Sequence, residues 1–232
     1  MRSRIEALDL LANNIANTGT AGYKSDREFY NLYTSADADS QTTLPDVERN
    51  WTDFSQGIVK DTGNPLDVAL AGRGFLTANS PDGPLYTRNG SLRLSPIGVL
   101  STADGYPVRA ETSSGQIQAR PDGGVLQIQK DGSVLQDGQS LGVLTLADWP
   151  KPEVLEKRGG VYFRLVDSSL KPAAPTGIEV LQGRLESSNA GPAEAAVQLV
   201  GVLRQFEMLQ KAVQLAAEMN RKAVDDVARV TG

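Results

Sequence analysis

Apolar residues in the C-terminal part of the chain recur at alternating steps of four and three positions. The series is Val202, Phe206, Leu209, Val213, Ala216, Asn220, Ala223, Val227 and Val230. This spacing places one apolar seam along a helix and is typical of helices that pack lengthwise on other helices. The pattern therefore predicts a helix from about Gly191 to Val230, roughly 55–60 Å long at 1.5 Å per residue. A compact domain cannot bury a helix of that length, so the helix needs a partner.

A second helical pattern lies at the N-terminus, from Arg2 to Asn17. Its apolar residues are Ile5, Leu8, Leu11, Ala12 and Ile15, and they follow helical spacing. Asn17, Gly19 and Gly22 then end it, because asparagine and glycine favour turns. We expect the two terminal helices to pair as a coiled-coil-like stem. Two ordinary surface helices on one globule remain the alternative.

The seam contains one polar residue, Asn220, which lies between Ala216 and Ala223. A polar residue on a coiled-coil seam fixes the register of the helices at a cost in stability. At the edge of the seam it would instead contact water. Both interpretations of Asn220 stay open at the level of the sequence.

Between the helices the pattern changes to short apolar runs that read as strands. The runs are Leu66–Leu70, Phe75–Ala78, Gly98–Ser101, Val125–Gln129, Leu141–Leu146 and Val161–Leu165. They are separated by Asx-Gly pairs at Asp82-Gly83, Asn89-Gly90, Asp104-Gly105, Asp122-Gly123, Asp131-Gly132 and Asp137-Gly138. Such pairs predict hairpins because both turn residues tolerate a positive φ. We therefore expect a mainly β protein, whose central meander or barrel-like domain is flanked by the two helices.

The pattern of apolar and polar residues divides the chain into four segments. We assign an N-terminal helix with its following turn to 1–25 and a linker or extended segment to 26–61. The β-rich domain then spans 62–186, and the long C-terminal helix, which pairs with the first segment, spans 187–232. Within the second segment, the small polar residues from Asp37 to Thr43 predict a loop.

Composition and charge exclude several classes of function. The formal net charge is −5 and the pI is about 4.9, which argues against nucleic acid or an anionic membrane as the main partner. The chain has no cysteine and no histidine, so thiolate chemistry and the commonest general base and metal ligand are missing. No apolar run is long enough to span a bilayer, and the N-terminus lacks the pattern of a secretory signal.

No group of residues converges into a predicted catalytic, cofactor-binding or metal site. The Asx-Gly pairs lack the alternating acids and the closing glutamate of a calcium loop. Gly72-Arg73-Gly74 lacks the third glycine of a dinucleotide-binding loop, so a turn explains it better. Ser187 and Ser188 have no histidine to activate them. We therefore predict a protein that is not an enzyme and that takes no cofactor and no small-molecule substrate.

Three ordered motifs resemble the flagellar axial proteins, the family of rod, hook and hook-associated subunits. The first motif is Leu10-Leu-Ala-Asn-Asn-Ile-Ala-Asn17 followed by Thr20-Ala-Gly-Tyr-Lys24. The second motif begins with Thr62-Gly-Asn-Pro-Leu-Asp-Val-Ala-Leu70 and Gly72-Arg-Gly-Phe75 and continues with Tyr86-Thr-Arg-Asn-Gly90 and Gly98-Val-Leu-Ser-Thr-Ala-Asp-Gly105. The third motif is Leu185-Glu-Ser-Ser-Asn189. The resemblance covers essentially the whole chain. Thr62-Gly-Asn-Pro-Leu-Asp67 and Arg204-Gln-Phe-Glu-Met208 are more similar to the proximal rod branch of the FlgF/FlgG rod proteins. The distal branch usually carries a tyrosine within the second of these two stretches.

The resemblance implies a structural subunit of the flagellar basal-body rod that self-assembles helically through its terminal helices and transmits torque. Its implied partners are other copies, other proximal rod and FlgG-like subunits, and the flagellar type III export apparatus. Its implied location is the periplasmic rod, reached without a cleaved signal peptide. A distal rod or hook subunit is one alternative. A secreted glycan-binding or hydrolytic β domain is a more distant alternative.

The resemblance also assigns candidate interface residues. Helix-packing contacts are expected at Leu8, Leu11, Ile15, Phe206, Leu209 and Val213, with Ala216 and Asn220 further along the seam. The motif at the end of the first helix comprises Asn13, Asn14, Asn17, Thr20, Gly22, Tyr23 and Lys24, for hydrogen bonding and turn formation at the subunit interface or for an intrachain cap. Family members begin about ten residues earlier, so the first helix is expected to be short, as a truncated N-terminus or a misassigned start codon would explain.

Overall fold

A computed structural model of the chain describes residues 2–34, 43–120, 122–167, 169–173 and 177–230. Most of the predicted loop from Asp37 to Thr43 lies outside these residues. Helix α1 spans Arg2–Ala16 and helix α2 spans Pro192–Val230, with a 3-10 turn at Pro152–Val154. The strands are β1 (Asp26–Thr34), β2 (Thr43–Thr52), β3 (Val59–Asp61), β4 (Val68–Ala71), β5 (Phe75–Ser80), β6 (Gly83–Thr87), β7 (Leu92–Leu94), β8 (Leu100–Thr102), β9 (Ala110–Glu111), β10 (Gln127–Ile128), β11 (Ser133–Gln136), β12 (Gln139–Leu144), β13 (Leu146–Ala147), β14 (Leu155–Gly159), β15 (Tyr162–Leu165), β16 (Glu179–Gln182) and β17 (Arg184–Glu186).

The chain divides into two compact units. The helical unit comprises the described parts of Met1–Ala16, Glu28–Asn50 and Gly191–Gly232, and the β unit comprises those of Asn17–Arg27 and Trp51–Ala190. The prediction of a mainly β protein with a helix at each end is confirmed. The described strands form several small sheets and no closed barrel, and several pairs, such as β4 with β16, join strands that are distant in the sequence.

In the helical unit, α1 packs against α2. Ala195 is buried and Leu199, Val202 and Phe206 are half-buried, so the predicted seam begins on the face of α2 that α1 covers. Further along, the seam becomes exposed: Leu209, Val213, Ala216 and Asn220 all face solvent. The reason is length, because α1 has 15 residues and α2 has 39. At 1.5 Å per residue the two helices are about 22 and 58 Å long.

The β unit is built from antiparallel sheets around three apolar clusters, the smallest of which contains Tyr23, Leu85, Val161 and Tyr162. The largest sheet has the order β13-β5-β6-β15-β14, and a second has the order β10-β11-β12-β9. One cluster is aliphatic and includes Leu70, Leu100 and Val134. Another is aromatic and contains Phe75 and Trp149, whose ring centroids lie 6.2 Å apart.

Three of the Asx-Gly pairs lie at hairpin turns, as predicted. They are Asp82-Gly83 between β5 and β6, Asp131-Gly132 between β10 and β11, and Asp137-Gly138 between β11 and β12. At the last of these, φ is 52° at Asp137 and 77° at Gly138. Two successive positive φ angles are what a two-residue hairpin with a type I′ turn requires.

Asn89-Gly90 does not turn a hairpin, so that prediction was wrong. Strand β6, which precedes it, pairs with β5 and β15, whereas β7, which follows, pairs with β8. Gly90 instead lies against β4, where its carbonyl accepts a 3.0 Å hydrogen bond from Val68 N. A Cβ at Gly90 would lie 1.7 Å from Val68 O. This glycine is therefore needed for close backbone approach and not for a positive φ.

Replacing Gly90 with alanine is expected to destabilise the β unit by at least about 2–3 kcal/mol, because the new methyl group meets fixed backbone atoms. Urea unfolding followed by tryptophan fluorescence measures this change. Gly19→Ala is the matched control, because no atom lies within 4 Å of a Cβ there. We expect the control to unfold at the wild-type midpoint. Equal midpoints for the two variants would contradict the packing argument.

Candidate functional site

The side chain of Lys24, in the first motif, is fully buried in the β unit beside that of Glu186, in the third motif. Lys24 Nζ lies 2.5 Å from Glu186 Oε1 and donates a second hydrogen bond to the carbonyl of Ser55 at 2.6 Å. Glu186 Oε1 also accepts a 2.9 Å hydrogen bond from Gly57 N. Strand β17 positions Glu186 by pairing with β3, so the carboxylate points into the interior from a fixed backbone.

Arg88 brings the second motif to the same carboxylate. Its Nη1 lies 3.2 Å from Glu186 Oε2, and its side chain is 5% exposed. The guanidinium also donates to the carbonyls of Leu70 and Gly72, at 3.3 and 2.7 Å. Its Cζ lies 5.4 Å from the centre of the Phe75 ring, within the range of a cation–π contact. Lys24, Arg88 and Glu186 are called the buried ion cluster below.

The buried ion cluster holds two cations and one carboxylate in an interior that disfavours charge. Burial lowers the pKa of Lys24, and the neighbouring Glu186 partly opposes that shift. Burial likewise lowers the pKa of Arg88, again with Glu186 acting in the opposite direction. Glu186 is therefore the charge that makes both cations tolerable, since an unpaired buried charge is strongly destabilising. Backbone carbonyls accept further hydrogen bonds from both cations, whereas the buried Nε of Arg88 has no hydrogen-bond partner among the described residues.

Hydrogen bonds of Gly22 and Asn189 hold in place the chain segments that lead to the helices. Gly22 has a φ of 68°, and a Cβ there would lie 2.2 Å from Asn89 N. Its N–H donates to the carbonyl of Glu186 at 2.7 Å. Asn189 accepts from Ser25 N at 2.7 Å through Oδ1 and donates to the carbonyl of Asp53 at 2.6 Å through Nδ2. Asn189 thereby joins three passes of the chain.

Tyr23 packs under the ammonium group of Lys157. The Lys157 nitrogen lies 4.3 Å from the centre of the Tyr23 ring and donates to Lys24 O at 2.8 Å and to Asp26 Oδ2 at 2.6 Å. Tyr23 is 1% exposed. Burial, with a smaller effect from the charge of Asp26, raises the pKa of the Tyr23 hydroxyl to about 12.

The structure places the predicted site residues in two groups. Asn17, Thr20, Gly22, Tyr23 and Lys24 lie in the β unit, where Lys24 belongs to the buried ion cluster and Thr20 Oγ1 donates to Asn17 Oδ1 at 3.2 Å. The remaining predicted residues lie on the helices, where Asn14 is buried, Leu8, Leu11, Ile15 and Phe206 are half-buried, and Asn13, Leu209, Val213, Ala216 and Asn220 are exposed. The two groups belong to different units.

Sequence reasoning missed three of the residues that form the site: Arg88, Glu186 and Asn189. All three lie within the motifs that carry the resemblance, so the motifs were the available signal. The contacts of Lys24 and Arg88 with Glu186 could not be predicted from the sequence, because Lys24 is 162 residues and Arg88 is 98 residues away from Glu186 along the chain. No pattern of spacing links residues at such separations.

The arrangement offers structural anchoring and no visible reaction chemistry. Among the described residues, no three acidic side chains come close enough together to hold a metal ion. A cleft of about 820 Å³ on the β unit is lined by Glu156, Arg158, Arg164 and Leu165 among others. Four of its charged residues form pairs, Arg164 with Glu156 and Arg158 with Asp82, and Lys171 also lines it. Neither described helix has a stretch apolar enough to cross a membrane.

Comparisons with known proteins agree with this description. Residues 69–136 match the family model of the flagellar hook protein FlgE/F/G D1 domain, and 181–226 match that of the flagellar basal body rod FlgEFG protein C-terminal. The flagellar basal-body rod protein FlgF of Caulobacter vibrioides is 31% identical over 96% of this chain and 92% of its own length. FlgG of Buchnera aphidicola is 31% identical over 93% and 92%, and FlgF of Salmonella typhimurium is 30% identical over 91% and 88%.

Glu186→Gln is expected to destabilise the β unit by about 3–5 kcal/mol, because it leaves two buried cations without a counter-charge. Glu156→Gln is the matched control: its pair with Arg164 is about half exposed, so its loss costs roughly 0.5 kcal/mol or less. Urea unfolding measures both. Lys24→Met combined with Glu186→Gln should cost less than the sum of the single changes, since the two side chains interact directly. Additive costs would contradict the proposed coupling.

The raised pKa of Tyr23 leads us to expect that the free energy of unfolding falls at alkaline pH. Because its pKa is raised to about 12 in the folded protein and is 10.0 ordinarily, the folded state keeps the proton that the unfolded state releases. The stabilisation is therefore fully present below about pH 10 and is lost as the pH rises toward 12. Relative to wild type, Tyr23→Phe should show a flatter decline, by up to about 2 kcal/mol over this window. Identical pH profiles in urea unfolding would contradict the assignment.

Proposed function

The chain belongs to the FlgF/FlgG family of flagellar basal-body rod proteins, and we propose that the exposed part of its α2 seam joins copies of this chain into the rod. As a member of this family it is a structural subunit of the basal-body rod.

The observation that carries the proposal is the uncovered apolar seam of α2. Leu209 is 38% and Val213 56% exposed, although both continue the seam that α1 covers at Phe206. Burying apolar surface contributes roughly 25 cal/mol per Å². A continuous apolar stripe that a single chain leaves in water is therefore a surface for another helix. A head-to-tail contact of this kind generates a helical assembly when the rotation does not close.

The buried ion cluster supplies the mechanical part of the proposal. The segment from Thr20 to Ser25 follows α1 along the chain, and the segment from Glu186 to Asn189 precedes α2. Both segments are fixed in the β unit by buried charges and by the hydrogen bonds of Asn189. Force on either helix is then transmitted to a rigid β unit through two anchored segments. This anchoring is what a torque-transmitting subunit requires.

We assign the chain to the proximal rod, next to FlgG-like and other rod subunits. Identity does not separate the branches, because a FlgF protein and a FlgG protein both match at 31%. The support is Arg204-Gln-Phe-Glu-Met208, which has phenylalanine where the distal branch usually has tyrosine. The proposed location is the periplasmic rod, reached through the flagellar type III export apparatus. The relatives are named as flagellar basal-body rod proteins, and this favours a subunit that is not an enzyme.

Phe206→Asp and Val213→Asp are each expected to abolish assembly of the chain into the rod while leaving the β unit folded. Both changes place a charge in the seam, at its covered and its exposed part respectively. Gln214→Asp is the matched control, because it adds the same charge next to Val213 but away from the seam. Motility and the presence of the chain in isolated basal bodies measure assembly, and near-ultraviolet circular dichroism reports the β unit.

We expect the control to assemble and swim as wild type does. Motility retained by Val213→Asp would overturn the proposal for the exposed part of the seam. If Phe206→Asp alone blocks assembly, only the contact of α2 with α1 matters. Loss of assembly in all three variants would mean that charge anywhere on α2 is not tolerated, and the seam would then have no special role.

A further inference from the structure

Helix α2 carries a second apolar stripe that the seam does not include. It consists of Met208, Ala212, Leu215 and Met219, and it contains two of the three methionines of the chain. Met208, Leu215 and Met219 are 62%, 59% and 70% exposed. We call these four residues the methionine stripe.

The methionine stripe lies on a different side of the helix from the seam. Each of its members follows a member of the seam by six positions, in the order Val202, Phe206, Leu209 and Val213. A helix turns by about 100° per residue, so six positions place the stripe about 120° around the axis from the seam. The remaining side carries the exposed charges Arg204, Lys211 and Glu218.

We propose that the methionine stripe of one copy packs on the exposed part of the seam of the next copy. This inference rests on the proposed function, and it names the surface that meets the exposed seam. The two surfaces have the same four-three-four spacing, so the ridges of one fit the grooves of the other. The side chains of the two surfaces are complementary in size, because the long methionine side chains would pack where the seam has the small side chain of Ala216. Methionine is flexible and fills irregular gaps.

The charges of α2 favour a second copy over other partners. The polar side of the helix carries Arg204 and Lys211 together with Glu218, so it attracts neither a strongly acidic nor a strongly basic surface. The net charge of the chain is −5, which disfavours an anionic membrane. A second copy supplies an apolar stripe of the right spacing from the same exposed stretch of α2.

The geometry makes the contact heterologous, because the two surfaces in contact are different. Each copy then has two neighbours on α2, one through the seam and one through the methionine stripe, about 120° apart. Such a contact continues from copy to copy instead of ending at a dimer. This is the arrangement that an extended assembly needs.

Cysteine cross-linking tests the inference directly, because the chain has no cysteine of its own. One set of variants carries Val213→Cys together with a cysteine at Met208, Ala212, Leu215 or Met219 in the same chain. The matched controls carry Val213→Cys alone, each stripe cysteine alone, or Val213→Cys with Gln214→Cys. Each variant replaces the wild-type protein in the cell. Isolated basal bodies are then oxidised, and the disulfide-linked products are separated by gel electrophoresis without a reducing agent.

We expect at least one double variant to give a ladder of disulfide-linked oligomers of this chain. Each single-cysteine variant should give no adduct, and an equal mixture of the matching single variants should give dimers only. Dimers from single-cysteine variants would show a contact between like faces and overturn the inference. Adducts that contain another rod protein in place of this chain would overturn the choice of partner, and so would the absence of adducts in every double variant.

Aspartate variants separate failure of this inference from failure of the proposed function. Met208→Asp and Met219→Asp should each block assembly as Val213→Asp does, with Gln214→Asp unchanged. If Val213→Asp blocks assembly while both methionine variants assemble and no ladder forms, the seam stands and the methionine stripe has no role. If Val213→Asp assembles normally, the proposed function fails first.

Discussion

The cost of burying two cations is the constraint on which the rest of this structure depends. Lys24 and Arg88 lie in the interior of the β unit, and among the described residues only the carboxylate of Glu186 pairs with both of them. Two charges of one sign cannot be buried together unless the opposite charge reaches both and backbone carbonyls complete the hydrogen bonds. The chain meets this requirement only when three distant segments come together. The segments that lead to the two helices are therefore fixed wherever the β unit is folded.

A second constraint is the difference in length between the two helices. A 15-residue helix cannot cover the apolar face of a 39-residue helix, and α2 is apolar on two sides of its circumference. In the proposed function, this exposed apolar surface makes the contacts between chains. The β unit is then stabilised by its own cores, and a partner stabilises the distal part of α2. Membership of the rod-protein family is consistent with that division.

The hairpin turns show how far local chemistry predicts a β protein. Asp137-Gly138 is a turn because both residues tolerate a positive φ, which is a property of those residues alone. Asn89-Gly90 has the same composition and connects two different sheets. Its glycine is explained by the carbonyl of Val68, which lies elsewhere in the sequence. A dipeptide specifies the conformations that it tolerates, but the packing of remote strands decides which of them is used.

By itself, the sequence determined the two terminal helices, the β character of the region between them, and the seam on α2. Each of these depends on interactions within a few residues, namely helical spacing, strand runs and turn chemistry. It also identified, through three motifs, the segments that build the site. Only the tertiary structure decided that Lys24, Arg88 and Glu186 share one buried cluster, and how much of the seam α1 covers. Those outcomes depend on which surfaces are excluded from water and on charges that meet across the fold, and neither is a property of any local stretch of chain.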